Sequence, residues 1–144
     1  MDEILTAIKT ALQSAIAAVP DGDIIVVPSI DYIPNGTSLP CITIKDGNIT
    51  NRALMGGCVE QEMVVYVSPW VEMVNDETSL TGATSVTGLL DLVTAIESAL
   101  NNNLFSITGL QSAWCESSAP SELFGDDREA LQRKTITVTY EKEG

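Results

Sequence analysis

The chain has 144 residues, seven Lys and Arg against 20 Asp and Glu, a formal net charge of −13 and no histidine. Without the side chain whose ordinary pKa sits near neutrality, it lacks Ser-His-Asp and Cys-His nucleophile activation, His-bound zinc and haem, and the simplest acid–base devices. The acidic excess also argues against gripping a phosphate backbone, which needs Lys and Arg to displace counterions.

Hydrophobic residues make up 44% and charged residues 19%, as in ordinary globular domains rather than acidic disordered tails. The length suits a single domain spanning 1–144 that buries about two thirds of its unfolded surface. No stretch approaches the ~18 consecutive apolar residues of a membrane span. Met1-Asp2-Glu3 lacks the basic start of a signal peptide. The expectation is a protein with no membrane association, cytosolic where it is made. Cys41, Cys58 and Cys115 match no zinc or redox spacing and read as free thiols. The sequons at Asn35 and Asn48 then carry no glycan.

Ile4, Leu5, Ile8, Leu12, Ala15, Ile16 and Val19 recur at helical spacing, predicting a helix over 3–18 that Pro20 ends and Asp21-Gly22-Asp23 turns. A short apolar strand, Ile24 to Val27, is broken by Pro28, with a resumption around Ile30 to Ile33 as an option, and Pro34-Asn35-Gly36 signals a turn. Cys41 to Lys45 alternates as a second strand, Asp46-Gly47-Asn48 is expected to turn the chain back, and Ile49 to Leu54 is a weaker strand. After Gly56-Gly57 comes the strongest strand, Val59 to Ser68, apolar on both faces from Met63 to Val67 and therefore central.

Pro69 to about Ala83 reads as a long irregular connection. A second helix is expected over Ser85 to Leu100, capped by Thr84 or Ser85, with Val86, Leu89, Leu90, Val93, Ile96 and Leu100 on one face and Asn101-Asn102-Asn103 as its stop. Leu110 to Cys115 predicts a strand. Glu116 to Arg133 reads as a polar connection with a helical turn at Arg128 to Gln132, and Lys134 to Glu141 as the final strand. The order predicts an α+β domain: two main helices on a mainly antiparallel sheet of four to five strands.

Asp21 and Asp23 lack the further ligands of an EF-hand loop and read as turn residues. Glu60 and Glu62 share a strand face, but the sequence shows no cation beside them, so a solvated face is expected there and at Asp126-Asp127. Gly56-Gly57 is followed by Cys58-Val59, which is no phosphate loop, and no nucleophile elbow or dinucleotide fingerprint occurs. Arg133-Lys134, the one adjacent basic pair, is no nucleic-acid patch. No catalytic residue, metal site or cofactor is expected. Trp70, Val71 and Met73 stand out as apolar residues in an expected connection. They either extend the preceding strand or form a subunit interface, where Trp and Met are enriched.

The N-terminal helix, Leu39-Pro40-Cys41-Ile42-Thr43-Ile44, the Val59–Ser68 strand, Gly88-Leu89-Leu90-Asp91-Leu92-Val93, the short 104–110 link and Ile136-Thr137-Val138-Thr139-Tyr140 together resemble the tail terminator or tail completion proteins of long-tailed bacteriophages, including Mu-like prophage versions. The resemblance spans nearly the whole chain and rests on element order and apolar pattern. It implies a small α+β domain that assembles into a ring, often a hexamer. The ring would sit at the end of the tail tube, between the tube protein and the head-side connector, within the virion tail and, during assembly, the host cytoplasm. It implies no enzymatic activity and no cofactor. DNA would pass through the ring without specific binding, which an acidic lumen favours. The long acidic 116–129 segment departs from the family pattern. A different class, a small acidic adaptor or regulator binding one host or phage protein as a monomer or dimer, is the alternative.

Overall fold

The computed structural model describes residues 2–34, 37–72, 88–116, 120–124 and 131–143. Helix α1 runs Asp2–Ala15 with Asp2 and Glu3 in its first turn, where carboxylates favour the helix dipole. Ile4, Ile8 and Leu12 form its buried stripe, and Ile16 and Val19 prolong that stripe beyond the end of the helix. A 3₁₀ turn at Asp21–Asp23 leads into strand β1, Ile24–Val26, which lies parallel to β2. Residues 30–31 form a turn and 32–33 no regular element, so the optional resumption of the strand does not occur.

Strand β2 spans Cys41–Ala53, so the turn expected at Asp46-Gly47-Asn48 does not occur. Those residues form an irregularity in the pairing with strand β3, Val59–Glu72, between Asp46 and Ile49. The same short polar residues and glycine that favour turns also suit a bulge. Glycine is required here: a Cβ at Gly47 would lie 2.7 Å from the Val64 carbonyl oxygen and 2.9 Å from the Tyr66 ring. The reversal comes instead at Met55–Gly57, where Gly56 and Gly57 both take φ of +82° and Leu54 N donates to Cys58 O across 2.8 Å.

β3 is the central strand and runs four residues past the expected end at Ser68, taking in Pro69 to Glu72. Helix α2, Leu89–Leu100, starts after Gly88, whose backbone is extended; the caps proposed at Thr84 and Ser85 lie outside the described residues, as does Val86. Its buried face carries Leu89, Leu92, Val93, Ile96 and Leu100. Leu90, expected among them, is 40% exposed, because it sits about 100° round the helix from Leu89, off the stripe that Leu89, Leu92, Val93, Ile96 and Leu100 form.

Strands β4 (Leu110–Glu116) and β7 (Ile136–Glu143) complete one flank of β3. Strands β5 (Glu122–Phe124) and β6 (Leu131–Arg133) complete the other end, inside the stretch expected to be a polar connection with a helical turn. Among the described residues the sheet has seven strands rather than four to five; β1–β2 is a parallel pair and the other described pairings are antiparallel. The class remains α+β. The three-residue strands β5 and β6 are too short to show a period in sequence.

One face of the sheet and the described helices α1 and α2 share an apolar core. Ile42 and Ile44, Met63, Val65, Val67 and Val71, and Ile136, Val138 and Tyr140 meet the stripes of α1 and α2 there. Each fully buried Ile, Leu or Val contributes about 1.5–3 kcal/mol relative to an exposed one. The residues in between, such as Val64, Tyr66 and Thr137, point to the opposite face and are half-buried.

Candidate functional site

Trp70 and Val71 lie inside the protomer, 1% and 3% exposed. Alternation along β3 sends Val71 into the helix-side core and Trp70 to the other face. There the indole N–H donates to Thr43 Oγ1 across 3.0 Å, and the ring lies beneath Arg133, whose guanidinium carbon is 5.0 Å from the ring centroid. As side chains these two therefore present no surface to a neighbour. The structure supports the strand-extension reading of them, and Met73 lies outside the described residues.

Arg133, noted in the sequence only as half of a basic pair, is the organising residue of this end of the sheet. Its side chain is 4% exposed and donates through Nη1 to Ile30 O (2.8 Å) and Asp31 Oδ1 (2.6 Å), and through Nη2 to Glu122 Oε1 (2.9 Å). One guanidinium thus ties the 28–34 segment, β5 and β6 to Trp70. No sequence signal separates this arginine from a surface one, because its partners lie 11 and 102 positions away.

Beside this staple, Pro28, Ser29, Ile30, Lys45, Asp46 and Tyr66 line an open groove. Lys45 Nζ bonds the Asp46 carboxylate at its rim and holds the Asp46 carboxyl below the usual carboxylate range.

The far end of β2 and β3 is an arm with two unlike faces. Thr50 pairs with Glu62 and Arg52 with Glu60 on one face; Asn51 pairs with Gln61 and Ala53 with Val59 on the other. The solvated face expected for Glu60 and Glu62 contains a cation after all: Arg52 Nη2 donates to Glu60 Oε2 across 2.7 Å, a contact hidden in sequence by the hairpin between them. On the other flank, Glu60 faces Glu143 and Glu62 faces Glu141, placing four carboxylates on adjacent cross-strand positions. Like charges directly opposite weaken a sheet.

Asp21 and Asp23 lie in the 3₁₀ turn before β1, and Asp23 Oδ1 accepts from Ser38 N, fifteen positions on, at 3.2 Å; Asp126 and Asp127 lie outside the described residues. Burial pushes the Cys41 thiol up to about 12 and the Cys115 thiol up to about 11, so both stay protonated and poorly nucleophilic at neutral pH. Cys58 is exposed at the tip of the arm. Among the described residues no group of three or more His, Cys, Asp or Glu is placed to hold a metal ion. No helix among them is long and apolar enough to cross a membrane.

No protein-family model matches the chain. No curated protein matches it in sequence. In fold it is similar to a chain from the virion of a native gene transfer agent particle, with a TM-score of 0.63 at 12% identity over 97% of this chain and 94% of that one. The α+β architecture is therefore shared from end to end with a component of a virion.

Proposed function

We propose that the chain is a structural virion assembly protein, a ring-forming tail terminator or completion component that joins the tail tube to the head-side connector. The observation that carries this reading is the end-to-end likeness in fold to a chain of a gene transfer agent virion. The sequence resemblance to phage tail terminators points the same way from element order and apolar pattern.

In this role the protein is non-catalytic. Its sequence carries no histidine, and the buried thiols Cys41 and Cys115 are held in their neutral form. The ring's neighbours are the tail tube protein and the connector, and DNA moves through it without being held. A net charge of −13 suits that passage, since an acidic wall repels phosphate.

Sedimentation velocity across a concentration series tests the reading. A closed ring gives one species of roughly six chain masses whose size does not grow with concentration. A monomer or dimer at every concentration would favour the adaptor class instead. In a gel shift at moderate salt the protein is expected to leave duplex DNA unshifted.

A further inference from the structure

The arm formed by β2 and β3 overhangs the helical layer. At its base Met63 is buried in the core, but its cross-strand partner Ile49 is 46% exposed and Val59, further out on the same face, is 42% exposed. Leu54 is 38% exposed, and Met55 is 97% exposed on the glycine turn. The arm therefore carries Ile49 and Val59 out into solvent on the core's face of the sheet, with the hydrogen-bonded Asn51–Gln61 pair between them and Leu54 and Met55 at the tip, backed by the charged face of Arg52, Glu60 and Glu62. A soluble domain seldom leaves such a strip uncovered.

A second exposed apolar region lies near the other end of β2. Tyr32 is 47% exposed, and near it in sequence Pro28 and Ile30 join Tyr66, Lys45 and Asp46 around a groove on the sheet face away from the helices. Its volume of about 560 Å³ has room for a leucine and a methionine side chain together.

Both apolar surfaces carry little net charge in a chain of net charge −13. Residues 47–59 contain one charge, Arg52, which pairs with Glu60, and the groove's lining contains one ion pair, Lys45 with Asp46, whose charges cancel. Copies of so acidic a chain repel one another, and the repulsion is least where these two regions meet. The two patches are different surfaces, so a contact between them is head-to-tail, the kind that closes rings.

We propose that the arm of one copy docks its apolar face, with Met55 at the centre, into the Pro28–Ile30–Tyr66 groove of a second copy. This inference rests on the ring reading above and names the contact that builds the ring. Gly56 and Gly57 give the tip its reversed backbone, and the Arg133 staple holds the 28–34 wall of the groove in place for the incoming tip.

Two measurements test it. Met55→Asp places a charge on a fully exposed residue and leaves the fold's circular dichroism unchanged, while the dissociation constant of the assembly rises roughly tenfold or more. Separately, Ser29→Cys puts a thiol in the groove of a chain whose arm tip already carries the exposed Cys58. A short bismaleimide should then give a ladder of cross-linked dimers, trimers and higher species, lost when Cys58→Ser is added. If the wild type assembles but Met55→Asp sediments like it and no Cys58-dependent ladder forms, the docking proposal is wrong and the ring reading stands. Cross-linking that stops at dimers also overturns it, since that marks a symmetric contact. A wild type that stays monomeric at all concentrations and gives no ladder overturns both.

Discussion

The guanidinium carbon of Arg133 sits 5.0 Å from the centre of the Trp70 ring while its nitrogens hold Asp31 and Glu122, so one residue joins an aromatic core contact to two ion pairs. Trp70 is accordingly a stability residue. Trp70→Ala should cost about 3–5 kcal/mol in urea unfolding through the cavity it leaves. Arg133→Lys keeps the charge but loses the planar fork, and should cost about 1–3 kcal/mol and speed amide exchange over residues 28–33. Unchanged unfolding midpoints in both variants would contradict this account of the staple.

Gly47 is the backbone requirement of the β2 irregularity. Gly47→Ala drives a methyl group to 2.7 Å from the Val64 carbonyl oxygen, and the expected loss is about 1–3 kcal/mol. Gly22→Ala is the control: a Cβ there meets nothing within 4 Å, and the expected change stays within about 0.5 kcal/mol. Equal unfolding midpoints for the two variants would show that β2 does not pass Val64 this closely.

These two sites mark where the sequence was legible and where it was not. The stripe of Ile4, Ile8 and Leu12, the alternation of Ile136, Val138 and Tyr140, and the double apolarity of Met63–Val67 report burial through their period, and each element formed where the period placed it. Asp46-Gly47-Asn48 carries the local chemistry of a turn, yet β2 runs through it, because pairing with β3 on both sides outweighs local preference. Trp70 looked like a loop anchor because Pro69 precedes it, though a strand that pairs on can carry a proline where its missing N–H is not needed. The partners of Arg133 and the Arg52–Glu60 pair are tertiary facts with no periodic trace.

The carboxylate row predicts an electrostatic response. Glu62→Lys replaces a like pair opposite Glu141 by an opposite one and should stabilise the fold by about 0.2–1 kcal/mol at low salt. The gain should shrink as added NaCl screens the row. Thermal melts of both proteins at low and high salt check this; a destabilised variant at low salt would mean the row is not in cross-strand register.

Alkaline pH is the direction of lost stability. Desolvation by burial raises Cys41 from 9.0 to about 12 and Cys115 from 9.0 to about 11, and it raises Tyr140 as well. Above the ordinary thiol pKa the unfolded chain gives up these protons first and so binds fewer than the folded one. The stability they contribute is whole below about pH 9 and is lost as pH climbs toward their folded values. Melting temperature should fall steadily over that window, and Cys41→Val should flatten the slope. A melting temperature that is level from about pH 8 to about pH 11 would contradict the burial of these groups.

The central claim, that the chain is a ring-forming virion assembly protein, is tested most directly by negative-stain electron microscopy of the purified protein at concentrations where it associates. The account predicts closed rings of uniform subunit number with an open central channel wide enough for duplex DNA. Fields of monomers, dimers or open filaments, with no closed ring under any association-promoting condition, would contradict it.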